Sequence, residues 1–293
     1  MANPAHVRIL GQGTHALETW REDNPGDRLD CSGAALPAAS LAGANLDGAW
    51  LSGATMPGAD LRGASLRGAD LSDAWLFGAD LSGADLGRAS LVGATLVAAV
   101  LRDADLTGAD LLRANLQAAQ LPGADLNGAS LREAIFSAAD LTESTLVSAM
   151  IASGNLRGAD LPGADLRRST LAGSDLRGAL LRSATLDGAD LSGANLEQAD
   201  LTDATLAGAR FAGARLLATR CLGTDFAGAI FGGTTIHGVN LAEATGLETA
   251  IHTGPSDVDD ETLAISSSGE IGPEVKGFLR RAGVTAERLA RPV

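Results

Sequence analysis

Histidine and cysteine are the side chains of this sequence whose chemistry would be most diagnostic of metal binding or catalysis. Metal sites and nucleophile–base pairs place such residues at characteristic spacings. Here no two histidines have a metal-ligand spacing, and the two cysteines are far apart in the chain. We therefore predict no metal site, no cofactor and no catalytic residue. The histidines and cysteines are His6, His15, His237, His252, Cys31 and Cys221.

Carboxylates are the second group that could do chemistry, and they are abundant. The chain has 36 acidic residues against 22 Lys and Arg, which gives a net charge of −14. Many aspartates recur directly before a leucine, as in Ala59-Asp60-Leu61. Carboxylates repeated along an outer surface stay solvated, so burial does not raise their pKa values as a general acid requires. We expect a protein that is not an enzyme, and its charge argues against direct nucleic-acid binding.

These aspartates belong to a repeat of five residues that runs from Ala34 to Leu241 without insertion or deletion. Of its 42 centres 34 are Leu, and 34 of the 42 positions two residues earlier are Ala. A period of five fits neither a helix nor a strand, so the chain must turn once per repeat. Glycine often occupies the turning position. The small residue and the leucine, two positions apart, share one side and predict the interior of a solenoid.

The repeat resembles the pentapeptide-repeat family, whose consensus is Ala-(Asp/Asn)-Leu-x-x, over about 70% of the chain. The resemblance implies an all-β fold, a right-handed quadrilateral parallel β-helix with four repeats in each coil of 20 residues. The 42 centres would then build about 10.5 coils. A disordered Ala- and Gly-rich tract is the alternative, and the regular leucines argue against it because each coil can bury four of them.

We expect three parts, an N-terminal cap (1–30), the β-helix (31–247) and a C-terminal helical tail (248–293). A solenoid needs caps because its terminal coils expose unpaired edges. Segments at both ends resemble the flanks of repeats in bacterial members of the family, some of which continue into an effector domain.

Local patterns predict short helices within these flanking parts. Residues 6–10 suit a short strand or a helical turn, and Thr14 suits the cap of a helix that ends near Glu22. In the tail we predict helices over 274–282 and 285–290, and an acidic turn at 257–261.

Counting outward positions modulo 20 places most aspartates on two adjacent faces, which we call the acidic faces. The resemblance implies docking on DNA gyrase, because some family members protect gyrase and are thought to imitate DNA. The expected net negative charge along the solenoid axis is about one per 5–6 Å, a much lower density than the one per about 1.7 Å of duplex DNA. A structural use of aspartate, bonding the local backbone, is the competing interpretation. The candidate docking residues are Asp60, Asp80, Asp140 and Asp160 on the first acidic face, and Asp85, Asp105, Asp125 and Asp165 on the second.

The other two faces carry apolar residues at outward positions where the repeat favours polar ones. Clusters of this kind mark association surfaces, although shielding by the N-terminal segment or simple tolerance would also explain them. We call this set the apolar patch: its candidate interface residues are Trp50, Trp75, Phe77, Val97, Leu112 and Ile135, with Val92 and Met150 beside them.

The function predicted from the sequence is that of a non-enzymatic scaffold that binds another protein through its rigid outer faces. Two alternatives stay open, a DNA mimic that binds gyrase and protects against topoisomerase poisons, and a sensor or scaffold arm of a bacterial signalling or defence system that lacks its effector domain. A homodimer is a further expectation, formed through the apolar patch or through the C-terminal helical tail. The sequence shows no signal peptide and no run of 18 apolar residues, which favours a cytoplasmic location and no membrane partner.

Overall fold

The computed structural model describes residues 2–266 and 271–290. The chain divides into two compact units, residues 1–150 and 151–293. The five-residue repeat occurs in both units, and in each it forms a solenoid of stacked coils.

Stacking of the coils is visible in parallel bridges that join outward positions 20 residues apart. In the first unit Ser40 is bridged to Asp60 and Asp60 to Asp80, and equivalent bridges start at every fifth residue. The Leu61 N–H donates to the Asp80 carbonyl at 2.7 Å, so the coils share backbone hydrogen bonds along the solenoid. Each coil therefore contains four repeats, as predicted, and residues 20 apart lie side by side.

A tight turn follows every repeat centre. The Ala84 N–H donates to the Leu81 carbonyl at 3.0 Å, and Gly83 between them has φ of 64°. Positive φ at the third residue alone is the signature of a type II turn. Residues other than glycine take the same conformation, including Ala98 at φ 55° and Arg88 at φ 58°. The stacked coils thus impose a left-handed conformation that these residues would not adopt by themselves.

The interior is formed by the repeat centres and the small residues before them. Every centre from Leu36 to Leu241 is buried, and so is every small position from Ala34 to Val239 except the half-buried Ala39. The prediction that leucine and alanine face inward is confirmed. Phenylalanine enters this interior late in the second unit, where Phe211 and Phe231 stack with ring centroids 5.0 Å apart.

Two helices precede the first coil, α1 (Pro4–Gly11) and α2 (Thr14–Asp23). The segment that suited either a strand or a helical turn is therefore helical. The prediction that Thr14 caps α2 is wrong, because Gly13 is the N-cap residue and Thr14 begins the helix. The Thr14 hydroxyl instead donates to the Ala42 carbonyl at 3.1 Å, and Arg21 donates to the Asp47 carbonyl at 3.0 Å. Side chains of α2 thus hold the helix on the first coils.

Short regular strands appear in the second unit. They form two parallel sheets, with the order β1-β3-β5 in one and β2-β4 in the other. The strands are β1 (Arg215–Leu217), β2 (Ile230–Phe231), β3 (Thr235–His237), β4 (Ile251–His252) and β5 (Asp257–Val258).

Three helices follow, α3 (Asp260–Ile265), α4 (Pro273–Arg281) and α5 (Ala286–Leu289). The last two fall on the helices predicted for the tail. The predicted acidic turn instead contains β5 and the start of α3, whose N-cap Asp259 accepts the Thr262 N–H at 2.8 Å. Phe278 of α4 packs its ring 5.1 Å from that of Phe231, so α4 closes over the aromatic interior. Among the described residues no helix is long and apolar enough to cross a membrane.

Candidate functional site

The aspartates of the acidic faces bond to their own backbone. Asp85 Oδ1 accepts the Gly87 N–H at 2.9 Å, and Asp105 Oδ1 accepts the Thr107 N–H at 2.8 Å. This local bond holds the chain as it leaves the repeat centre and enters the turn. It supports the structural interpretation of the repeated aspartate. Seven of the eight candidate aspartates make it, namely Asp60, Asp80, Asp85, Asp105, Asp125, Asp140 and Asp165.

Arginines neutralise part of the acidic faces. Arg62 Nη2 lies 2.7 Å from Asp60 Oδ2, and Arg62 Nε lies 3.8 Å from Asp80 Oδ2. Arg167 pairs in the same way with Asp165, at 2.5 Å. Hydrogen bonds from Arg62 and Arg167 hold the pKa values of Asp60 and Asp165 below the ordinary range. These carboxylates are ionised at neutral pH, but each charge faces a guanidinium beside it.

The structure brings members of each acidic face together as direct neighbours within a unit. Asp60 is bridged to Asp80 on the first face, and Asp105 is bridged to both Asp85 and Asp125 on the second. On the first face Val100 and Gln120 separate Asp80 from Asp140. Asp160 and Asp165 belong to the second unit, and of the eight candidates Asp160 alone is exposed while the others are half-buried.

The aromatic members of the apolar patch are the most exposed. Trp75 is 52% exposed, Phe77 48% and Trp50 44%, although each is large and apolar. Trp75 and Phe77 flank the buried centre Leu76, and the Gly78 N–H donates to the Val97 carbonyl on the next coil at 3.0 Å. The positions of Trp75, Phe77 and Val97 are therefore contiguous on the first unit.

The remaining members of the apolar patch are less accessible. Val92, Val97, Leu112 and Ile135 are half-buried between their neighbours in the stacked coils, whereas Met150 is 37% exposed. The Arg28 guanidinium lies over the Trp50 ring at 5.9 Å, so a residue before the first coil shields part of that side chain. The patch thus has an aromatic centre at Trp75 and Phe77 and a flatter aliphatic border.

Histidine and cysteine are placed apart from these surfaces. Both cysteines have free thiols and are buried, and burial raises the pKa of each to about 12. His252 lies between the rings of Phe231 and Phe278, at centroid distances of 5.6 and 4.7 Å. Within residues 2–266 and 271–290, no three His, Cys, Asp or Glu residues are placed to hold a metal ion.

Other exposed apolar residues were missed by the sequence interpretation. Leu180, Leu222, Ile251 and Ile265 of the second unit are between 39% and 51% exposed. An apolar residue at an outward position was a usable signal for Leu180 and Leu222. No such signal existed for Ile265, because it lies outside the repeat on α3.

Comparison with known proteins agrees with this architecture. The family described as Pentapeptide repeats (8 copies) matches segments between residues 28 and 242. HetL, a pentapeptide repeat protein involved in heterocyst differentiation regulation from the cyanobacterium Nostoc sp. strain PCC 7120, is 35% identical. The match covers 80% of this chain and 98% of HetL with a TM-score of 0.53. No curated protein sequence matches the chain.

Two further solved structures share the repeat. Rfr23, a pentapeptide repeat protein from the cyanobacterium Cyanothece 51142, is 38% identical over 31% of this chain and 58% of its own, with a TM-score of 0.25. QnrB1, a plasmid-mediated fluoroquinolone resistance protein, is 16% identical over 59% of this chain and 89% of its own, with a TM-score of 0.31. We draw no functional conclusion from either, because the TM-scores are low. The repeat match and the likeness to HetL show that this chain belongs to the pentapeptide-repeat family.

Proposed function

We propose that this protein is a non-enzymatic scaffold that binds another protein, and that the first unit docks through the aromatic centre of the apolar patch. The observation that carries the proposal is the exposure of Trp75 and Phe77, at 52% and 48%, on a wall of stacked coils. Exposed aromatic residues supply much of the affinity at protein interfaces because they bury a large area with few rotatable bonds. Neither side chain is needed to form the core.

The proposal also includes the handedness and cross-section of the solenoid, its caps and its location in the cell. We take the solenoid to be a right-handed quadrilateral β-helix over 31–247, with 1–30 and 248–293 as its helical caps, in a cytoplasmic protein. HetL is described as involved in the regulation of heterocyst differentiation, and a regulatory role through protein contacts is consistent with a rigid surface. Self-association through the apolar patch would place a second copy on it and give a homodimer.

Capture of partners tests the apolar patch. The double variant Trp75→Ser with Phe77→Ser should lose the proteins that the unmodified chain recovers from a lysate of its source. The variant Arg102→Ser with Thr107→Ser is a matched control, because both residues are exposed on the acidic faces. Light scattering of all three proteins distinguishes a homodimer from a complex with another protein. Equal recovery by the two double variants, with an unchanged oligomeric state, would contradict the proposal.

The gyrase-binding alternative has less support from the geometry. The acidic faces use their carboxylates for backbone bonds, and arginines lie against Asp60, Asp85 and Asp165. A supercoiling assay with gyrase and a topoisomerase poison tests it. If the alternative holds, the chain protects gyrase, and replacing Asp85, Asp105 and Asp125 by Lys abolishes that protection because it reverses the field that would attract the enzyme. Absence of protection by the unmodified chain would rule the alternative out.

A further inference from the structure

A cleft on the second unit is a candidate ligand site that the repeat pattern did not predict. Its volume is about 740 Å³, and small-molecule sites typically measure about 300–1,000 Å³. Arg182, Asp200, Arg220 and Leu222 of the solenoid line it, and Ile265 of α3 lines it from outside the repeat. We call it the Asp200 cleft.

The Asp200 cleft forms where one row of bridges between the coils stops. Bridges run from Asp160 through Leu180 and Asp200 to Arg220, but among the described residues none continues from Arg220 to Asn240. In the coil of Asn240 the backbone instead turns to α3 and the residue after it. The Val239 N–H donates to Thr262 Oγ1 at 3.2 Å, and the Leu241 N–H donates to Ser266 Oγ at 3.0 Å. The outer wall therefore opens between Arg220 and α3.

Two arginines that line the cleft converge on one buried carboxylate. Asp200 is 3% exposed, its Oδ2 lies 2.7 Å from Arg182 Nε and 3.8 Å from Arg220 Nη1, and its Oδ1 accepts the Thr202 hydroxyl at 2.6 Å. The arginine side chains themselves are 56% and 72% exposed. Two guanidinium groups against one carboxylate leave a positive charge, and their outer N–H groups can donate to an anion. A carboxylate is the planar acceptor that suits a guanidinium in two-point contact.

Two exposed apolar side chains also line the cleft. Leu222 is 50% exposed and Ile265 39%. Asp203, in the turn that follows Asp200, and Glu243 also line the cleft, so an anion must lie against the arginines and a second negative charge would be repelled. The ligand that fits has one anionic head, a short apolar body and no second anion.

We propose that the Asp200 cleft binds a small monocarboxylate, with the carboxylate at Arg182 and Arg220 and a short aliphatic chain between Leu222 and Ile265. This site is independent of the apolar patch, which lies on the first unit. It would make the scaffold responsive to a small molecule, a property beyond protein binding.

Calorimetric titration of the full chain with hexanoate tests the site, with hexylamine as a probe of similar chain length and opposite charge. Hexanoate should bind saturably at millimolar concentration or below, and hexylamine should not. Arg220→Gln should weaken hexanoate binding at least about tenfold, the effect of losing one charge-assisted hydrogen bond. Arg210→Gln is the control, because Arg210 is exposed and does not line the cleft.

A second variant tests whether the ligand lies beside Leu222. Leu222→Glu places a negative charge at an exposed position, so the fold should persist, as circular dichroism would check, and hexanoate binding should be lost. No saturable binding up to about 10 mM, equal binding of hexylamine, or equal binding by Arg220→Gln and the unmodified chain would each overturn the proposal.

Discussion

Arg67 and Asp85 lie on neighbouring coils, with Arg67 Nη1 2.7 Å from Asp85 Oδ2. The other oxygen of Asp85 accepts the Gly87 N–H at 2.9 Å. One carboxylate thus joins a local turn to the coil before it. The surface ion pair adds little stability in water, whereas the backbone bond has no competing entropy cost from a long side chain.

Separating the charge of Asp85 from its hydrogen bond tests which of the two matters. Asp85→Asn keeps the Oδ1 acceptor and should change the free energy of unfolding little. Asp85→Ala removes the acceptor and should cost about 1 kcal/mol, because the Gly87 N–H loses its partner. Thermal or denaturant unfolding measures both. Equal losses in the two variants would mean that the ion pair, and not the turn, is the main contribution.

Charge in the narrow interior should prevent folding. Leu106 is 0% exposed, and Leu106→Asp would bury a carboxylate without a partner at a cost of about 5 kcal/mol or more. Thr107→Asp is the matched control, since residue 107 is exposed and adds the same charge on the outside. We expect insoluble or unfolded Leu106→Asp and folded Thr107→Asp by circular dichroism. A cooperative, native-like melt of Leu106→Asp would contradict the assignment of the interior.

Reciprocal substitutions at the turns should have opposite effects. Gly83 has φ of 64°, and no atom beyond its chain neighbours lies within 4 Å of the position that a Cβ would take, so Gly83→Ala introduces left-handed strain without a clash. Ala98 has φ of 55°, and Ala98→Gly relieves the same strain. We expect a loss of about 1 kcal/mol for the first and a gain of up to about 1 kcal/mol for the second. Changes of the same sign in both would refute the explanation by backbone conformation.

Acid should weaken the C-terminal part of the second unit through His252. Burial, and then the charge of Arg281, lower the pKa of His252 from 6.5 to about 4. A folded-state pKa below the unfolded one means that protons bind preferentially to the unfolded chain, so stability falls as the pH drops from about 6.5 towards 4.

Melting temperature measured against pH checks this expectation. His252→Phe retains an aromatic ring between Phe231 and Phe278 but cannot be protonated. Its melting temperature should fall less than that of the unmodified chain between pH 7 and pH 4. The carboxylates titrate equally in both proteins, so identical profiles of melting temperature against pH would exclude His252 as the cause of the loss of stability in acid.

The five-residue period was sufficient to predict a solenoid and the residues that face its interior, whereas the four repeats in each coil came from the family resemblance. Leu106 and the other repeat centres had to face inward, because a position that recurs once in every five-residue repeat keeps the same orientation relative to the interior. Trp75 and Phe77 occupy outward positions of the repeat, and their exposure is confirmed. The bond from Asp85 to its own turn was predictable in kind, since it joins residues two apart in the sequence.

What the tertiary structure alone decided lies where the repeat ends. Asn240 is still in register with Arg220 in the sequence, yet the described residues show no bridge between them, and the neighbouring Val239 and Leu241 N–H groups donate to Thr262 and Ser266. Contacts with α3, which has no repeat and begins inside the acidic segment that suggested a turn, are long-range and leave no periodic signal. The same contacts hold α3, whose Ile265 lines the Asp200 cleft together with Leu222. A local repeat can determine how each residue faces, but the joining of two different elements depends on the side chains that each presents to the other.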